Sequence, residues 1–583
     1  MNERIKEEKE RAQTGRRREP EKPRGPKEAQ EEREKEKAKI QAAYDAYKEE
    51  LQAKMARTFV SEHKKEQWFK ERYVAEVRDP FRAKLNEMRR GTYTQWEQDL
   101  ESGTFDEFSL EGIPKGESGA GAGGDKEDGE ANEILGVGDL NPASGADIRD
   151  ENQFQPTLLI KTIAPHVSRQ NLESFCKEHL GEEEGGFKWL SLSDPNPSKR
   201  YHRIGWVMLH PSSETAMPID RAEPKDEDGD EPVASPQPVS TADKALDAIN
   251  GKTVKDEVRG DFVCHVGVHT PPSNPRKKAL WDLFSAPERI DKDLDLIRRL
   301  VSHFEEEFGS DFQAIPKVED KVESLKNAGL LQPPVPPTPK AKKQLDRDDD
   351  EAMDAEAGAV EEEEEEEGAI EDDDVDDEEL LAKKKELDLL IEYLRRVFNF
   401  CFFCVFESDS VHELTRKCPA GHLRRPRSTL SSTARNVARA SANGEPFPEK
   451  KRTDVAEEGE LDSPETEKKS RNALSKADQQ LLRAYNWVKT FEDKLMQILD
   501  PQSVDIRKLG GRPVEEAVDD ELLKHVKQED EHKWRCKVPE CTKLFKEEHF
   551  WRKHVEKRHA EWLEGVKQEV GIHHIPGLWP GPC

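Results

Sequence analysis

Apolar positions along this chain fall into separate blocks, and the period within each block predicts a different element. From Ile40 to about Gly112, aromatic residues recur at helical intervals, among them Phe59, Trp68, Phe69, Tyr73 and Phe81, with Asp79-Pro80 expected to break one helix from the next. Between residues 157 and 268 the order becomes β-α-β-β-α-β. Strands are predicted at 157–163, 187–192, 203–209 and 262–268, one helix starts at the cap-like Ser168, and another covers 242–250. Helical spacing returns after Lys278, with Ile297, Leu300, Val301, Phe304 and Phe308 on one face, and again at Leu387, Leu390, Ile391, Leu394 and Val397. Two more helices are predicted, one from about Ser475 to Leu499 through Leu481, Tyr485, Val488, Leu495 and Ile498, and a shorter one through Val518, Leu522 and Val526.

Polar stretches separate these blocks and set the expected boundaries. Residues 1–40 alternate Lys/Arg with Glu and read as a charged arm, 41–112 as an N-terminal helical unit, and 113–153 as a Gly/acidic linker. The β-α-β-β-α-β order is that of an RNA-recognition-motif fold, placed at 154–272 with a polar, Pro-containing insert at 212–240 read as a disordered loop. A helical segment at 277–330, a Pro-rich and acidic linker at 331–379, a core helix with a Cys/His cluster at 380–422 and a linker at 423–470 follow. Helices at 471–532, a zinc-finger segment at 533–568 and a tail at 569–583 complete the chain. Helices on both sides of every linker need partners, so those before the module are expected to pack on those after it. The expected fold class is therefore α+β: a mainly helical body made from separated pieces, an inserted RNA-recognition-motif-like module, a C-terminal C2H2 zinc finger and long disordered linkers.

Composition agrees with small folded units on linkers, since 37% of the 583 residues are charged, 33% are hydrophobic and the mean hydropathy is −0.96. The net charge of −31 is local: residues 346–379 hold 22 acidic residues and one basic, or −21, leaving −10 for everything else. A nucleic-acid partner is thus compatible with the charge of the folded parts. The acidic run 361–367 and its acidic flanks read as a spacer, or as a nucleic-acid mimic, in which case deleting residues 346–379 would raise RNA affinity at low salt. No apolar run approaches the roughly 20 residues that span a bilayer, and no apolar secretory core appears near the N-terminus, so no membrane partner is expected. Basic clusters at Arg16-Arg17-Arg18 and Lys450-Lys451-Arg452 are compatible with nuclear import.

The densest chemistry lies near the C-terminus. Cys536, Cys541, His554 and His559 follow C-x4-C-x12-H-x4-H, a spacing that closes a hairpin and a helix tetrahedrally on zinc, and Phe545 and Trp551 fill the two apolar positions such a finger needs. Four protein ligands leave no open position, so the metal would fold the unit and not catalyse. The helix positions that would face DNA bases are Glu547, Phe550 and Lys553, a poor reading set on a single finger. Basic residues around the scaffold, including Lys543, Lys546, Arg552, Lys553 and Lys557, suit an acidic peptide or a nucleic-acid backbone, with the peptide preferred; a merely solvated basic face is the plain alternative.

A second cluster, Cys401-x2-Cys404 with Cys418 and His422, has the composition of a Cys3His zinc site. The alternatives are that the cysteines are small apolar residues of the run Phe398–Phe406, or a redox pair, for which the thioredoxin-like context is missing. In the module, the strand around Leu159 lacks an aromatic at the stacking position, leaving Trp206 for base stacking, with Arg200, Tyr201, His202 and Arg203 as possible RNA contacts. No Ser/His/Asp arrangement, phosphate-binding Gly loop or open metal site argues for an enzyme.

The order of these parts resembles the SERRATE/arsenite-resistance-protein family, as a fungal member would. The segment EHKKEQWFKERY at 62–73 is similar to that family's N-terminal motif, KRYHRIGW at 199–206 to its degenerate RNA motif, LDLLIEYLRRVF at 387–398 to its core helix, and the finger with His559-Ala560-Glu561 to its C-terminal leg. The resemblance implies a non-enzymatic nuclear scaffold that joins the nuclear cap-binding complex to RNA-decay or silencing effectors, whose acidic short motifs would dock on the finger's basic face. It also implies a Gly/Arg-rich tail that docks on the cap-binding complex; this chain ends at Cys583 after a short Pro/Gly-rich stretch, so either the chain is a piece or that docking differs. The Cys401 cluster falls where other members lack a clear zinc set. A monomer is expected, because no long coiled-coil repeat is present. The competing class is a zinc-finger DNA-binding transcription regulator.

Overall fold

The computed structural model describes residues 26–114, 140–142, 150–212, 240–272, 278–332, 376–427, 430–448, 475–509 and 513–573. The acidic tract, most of the 212–240 insert and the charged arm before residue 26 lie outside the described residues. The chain divides into two compact units, one made of the segments before Glu66 and from Asp505 onward, the other of Glu66–Val504. Helix α1 (Pro26–His63) crosses the expected boundary at residue 40 and belongs to the first unit. The N-terminal helical unit therefore divides, because α2 (Gln67–Tyr73) and α3 (Ala75–Glu101) belong to the second. Asp79-Pro80 does not break the helix: the break is at Val74, which is extended, and Pro80 sits inside α3.

The central part of the second unit is a β-α-β-β-α-β module: β1 (Thr157–Ile163), α4 (Arg169–Leu180), β2 (Phe187–Leu192), β3 (Arg203–Leu209), α5 (Thr241–Ile249) and β4 (Val266–Val268). The strands pair antiparallel in the spatial order β2-β3-β1-β4. Ser168 caps α4 by accepting the Asn171 N–H at 3.1 Å, and Ser240 caps α5 in the same way. The last strand is shorter than expected, because Phe262–Val263 pairs with Thr253–Val254 in a separate hairpin. One face of the sheet, through Leu158, Ile160, Leu190, Val207 and Leu209, packs on α4 and α5. The other face is buried too: Phe81, Leu85 and Met88 of α3 cover Trp189 and Met208.

The helical body follows from β5 (Lys278–Ala279) onward with α6 (Pro287–Glu305), α7 (Ala314–Asn327) and α8 (Glu378–Val397). After α8 come a hairpin of β6 (Phe400–Cys401) and β7 (Phe406–Glu407), the short α9 (Val411–Lys417), and β8 (His422–Leu423), which pairs parallel to β5. Helices α10 (Ser432–Asn443) and α11 (Lys476–Leu499) close the unit. As expected from the spacing, helices from both sides of the module share one core. Tyr93 and Trp96 of α3 meet Tyr393 of α8 and Phe312, the Tyr93 and Phe312 rings stacking at 4.1 Å. Helix α8 is buried nearly all round, so its polar residues are paired: Lys384 with Glu111 and Asp376, and Asp388 with Arg424 and the Leu110 N–H. Helix α10 lies inside the expected 423–470 linker, and its Val437 and Ala438 join the core.

In the first unit, α12 (Val514–Lys524) ends before Val526, which starts a strand and not the last turn of a helix. Strands β9 (Val526–Asp530), β10 (Lys533–Cys536) and β11 (Leu544–Phe545) form an antiparallel sheet, followed by α13 (Glu548–Arg558) and α14 (Ala560–His573). Trp551 and Val555 of α13 pack with Val518 and Leu522 of α12, Val538 and Leu563. The finger-like segment thus starts at Val526, not residue 533, and shares a core with the helices on either side.

Candidate metal centres and docking face

In the first unit, the β10–β11 turn and α13 bring Cys536, Cys541, His554 and His559 together, with all four ligand atoms within 4.8 Å of one another. Tetrahedral zinc with bonds of about 2.0–2.3 Å sets ligand-to-ligand edges of roughly 3.3–3.8 Å. Cys541 Sγ lies 3.4 Å from His554 Nε2, and the two imidazole rings stand edge-on at 4.9 Å. The Cys536 N–H bonds Lys543 O at 2.9 Å, which fixes the turn that carries both cysteines. His559 Nε2 is buried with no hydrogen-bond partner among the described residues, which suits a ligand atom aimed at a cation. Burial pushes the Cys536 thiol up.

Around this cluster, Lys543, Lys546, Lys553 and Lys557 are exposed, and none has a carboxylate within ion-pair distance among the described residues. Arg552 differs: its guanidinium is held by Glu548 at 2.8 Å and by Asp519, so it is tied into the fold and not offered to a partner. Two apolar side chains, Leu544 and Phe550, are about half exposed beside these lysines. Sequence reasoning placed Phe550 only as a poor base reader and passed over Leu544; its signal was an apolar residue next to Lys543 in a finger strand.

The second unit assembles the inner cluster. Cys401 and Cys404 lie on the β6–β7 hairpin, Cys418 ends α9, and His422 starts β8. Cys401 Sγ is 3.6 Å from Cys418 Sγ, and His422 Nε2 is 3.6 Å from Cys418 Sγ and 3.1 Å from Cys404 Sγ, close to tetrahedral edges. Hairpin residue Val405 adopts positive φ, which turns the chain back so that its N–H reaches Cys401 O at 2.8 Å. Hydrogen bonds from Cys401 and Cys404 hold the Cys418 thiol well below its usual range. Burial opposes charge on His422, but the Cys418 and Cys401 sulfurs outweigh it and raise the ring to about 9. Three sulfurs and one imidazole gathered at these separations form a donor set that fits a soft divalent ion. Arg395 of α8, unremarked in the sequence, donates to Cys418 O at 2.6 Å and approaches its Sγ at 3.6 Å. Its signal was an arginine pair in an apolar helix.

The five residues assigned to RNA contact do not form one surface. Trp206 is 2% exposed with the Arg416 guanidinium over its ring, and Arg203 is buried in an ion pair with Glu71 at 2.6 Å. Tyr201 stacks on Trp68 at 5.0 Å, and His202 Nδ1 lies 2.7 Å from Lys199 O. Only Arg200 is exposed, on a left-handed turn. The expectation of base stacking on Trp206 and of phosphate contact by Arg203 is corrected by this packing, which fills the sheet face with the chain's own helices.

Comparison with known proteins adds the family. Residues 24–132 match the SERRATE/Ars2 N-terminal domain, residues 466–574 match Arsenite-resistance protein 2, and residues 373–423, which include α8 and all four inner ligands, match a domain of unknown function, DUF4187. The chain is 22% identical over 534 residues to the NURS complex subunit pir2 of Schizosaccharomyces pombe, covering 91% of this chain and 66% of that protein. It is 23% identical over 429 residues to the Serrate RNA effector molecule homolog of Bos taurus and 22% identical over 429 residues to that of Homo sapiens, covering 71% of this chain and 37% of each of them. The chain thus spans about two thirds of the yeast relative and little more than a third of the mammalian ones. The chain is thus similar to the SERRATE/Ars2 family, with its N-terminal and C-terminal family models matched in order at the two ends and a relative aligned along most of the length between them.

Proposed function

We propose that this protein is a nuclear adaptor that links the cap-binding complex on nascent capped RNA to RNA-processing, decay or silencing machinery. The observation that carries the reading is the lysine face of the finger-like segment. Lys543, Lys546, Lys553 and Lys557 surround a scaffold fixed by Cys536, Cys541, His554 and His559, with Leu544 and Phe550 exposed among them. Unpaired ammonium groups beside apolar surface suit an acidic short motif, whose carboxylates gain charge-assisted hydrogen bonds. Zinc is the metal assigned to both clusters, where four protein ligands make its role structural. The module, of RNA-recognition-motif type, serves mainly as a packed part of the body. Relatives named as an RNA effector molecule and a subunit of a complex support partners drawn from RNA machinery.

A synthetic peptide rich in Asp and Glu, titrated calorimetrically into the full chain, tests the reading. Reversing charge in Lys546→Glu/Lys553→Glu is expected to weaken binding at least tenfold while zinc content stays unchanged. Equal binding by the double variant would contradict the docking assignment. Glu547 and Phe550 are poorly suited to base reading, so no sequence-dependent DNA binding is expected.

A further inference from the structure

Helix α9 is seven residues long, and a helix of under two turns has no stability of its own. It nevertheless lies across the outer face of the module's sheet. Its contacts with that face are polar: Ser410 Oγ on Ser191 Oγ at 2.8 Å, His412 Nε2 on Thr157 Oγ1 at 3.1 Å, and Lys417 on Asp194 at 2.8 Å, with Arg416 over the Trp206 ring. Its fully buried Leu414 packs instead with Cys401 and Cys418. Cys418 itself ends the helix, its N–H bonded to Leu414 O at 2.7 Å. Across the cluster, Cys401 and Cys404 ride on a hairpin whose Phe400, Phe402 and Phe403 are rooted in the core of the helical body. The apolar contact of Leu414 is therefore with Cys401, Cys404, Cys418 and Phe406, and a metal among the four candidate ligands would bond the end of the helix to the hairpin.

What α9 covers is also specific. Trp206 stands on the third strand of a four-stranded antiparallel sheet of order β2-β3-β1-β4, where single-stranded RNA bases stack on aromatic rings. Its indole Nε1 is buried with no hydrogen-bond partner among the described residues. Helix α3 covers the neighbouring Trp189 and Met208 and carries none of the four candidate ligands.

We infer that the Cys401–Cys404–Cys418–His422 centre is a latch. With metal bound it holds α9 on the sheet and closes Trp206; without metal α9 lifts and Trp206 becomes a stacking platform for single-stranded RNA. This rests on the assignment of zinc to these ligands, and the test separates the two.

The full chain is compared as wild type, His422→Ala, and His422→Cys, which restores a four-ligand thiolate set. Metal is counted by native mass spectrometry, backbone opening by hydrogen exchange, and RNA binding by anisotropy of a labelled oligouridine. The expected result is two zinc ions in wild type and one in His422→Ala. Faster exchange should be confined to 409–418 and to the edge of the sheet beneath, with oligouridine affinity higher by about tenfold, the worth of one stacked base. His422→Cys should restore closure, and adding Trp206→Ala to His422→Ala should remove the gain. One zinc in wild type overturns the metal assignment. Two zinc ions in wild type and one in His422→Ala, with exchange unchanged between them, overturn the latch alone, as does loss of protection throughout α6 and α8, which would make the centre a requirement of the whole body. Opening of α9 without any gain in oligouridine binding overturns the stacking platform.

Discussion

At the scale of single residues, the body depends on buried polar groups that are individually matched. Lys385 donates to the carbonyls of Phe105, Asp106 and Phe108, each at 2.8 Å, and so ties α8 to the chain leaving α3. Burial lowers its pKa from 10.5 to about 8. Below pH 8 the lysine is charged in the folded and unfolded chain alike and the cost of burying that charge is fully present. Between about pH 8 and 10.5 the folded form releases its proton first, so the contribution of Lys385 to stability rises with pH across that window. Lys385→Met is expected to lower stability by about 2–4 kcal/mol near neutrality by leaving three carbonyls without a donor. The gap between wild type and variant in denaturant titrations should widen from pH 8 to 10.5. None of this was legible in the sequence, where Lys385 is one of a run of three lysines. The two Cys/His clusters were legible because metal geometry restricts such spacings, whereas the neutralisation of Arg552 depends on Asp519, 33 positions away.

At the scale of elements, regular periodicity was a good guide and local breakers were less so. The faces of α6, α8 and α11 follow the spacing of their leucines and aromatics, and the strands of the module fall close to where alternation put them. Helix α10 escaped notice because its buried face is built from Ala434, Ala438 and Ala440 with one Val437, too weak an apolar pattern to stand out in a polar stretch. Val526 continued a helical spacing but belongs to a strand, because pairing with Cys536 outweighs a one-turn extension. Pro80 misled most plainly. It lies in the second turn of α3, where it removes a hydrogen bond to Glu76, and the helix continues because Phe81 and Leu85 pack on the sheet. Pro80→Ala is expected to stabilise the chain by about 1–3 kcal/mol through the restored bond, as measured by chemical denaturation. A loss of stability would mean that the proline sets the path of α3 needed for Phe81 to stack on Trp189, now at 5.2 Å.

For the whole molecule, the two units divide the tasks. One carries the lysine face on the segment that gathers Cys536, Cys541, His554 and His559; the other buries its module against helices drawn from both sides of the sequence. Order along the chain, not any single motif, carried the family from sequence to comparison, since 22% identity over 534 residues leaves few short stretches distinctive alone. The occlusion of Trp206 was not legible, because it requires the α9 segment to lie on the sheet, where Ser410 meets Ser191 across 219 positions of sequence and Arg416 covers the ring. In the proposed adaptor role, partners would be held on separate surfaces, each contact raising the effective concentration of the next.

The most direct test is affinity purification of the tagged chain from nuclear extract, with and without ribonuclease, followed by mass spectrometry. The adaptor account predicts recovery of the cap-binding complex and RNA-decay factors in both samples, with the decay factors depleted for the Lys546→Glu/Lys553→Glu variant. Loss of all these partners on ribonuclease treatment, or recovery of chromatin proteins alone, would contradict it.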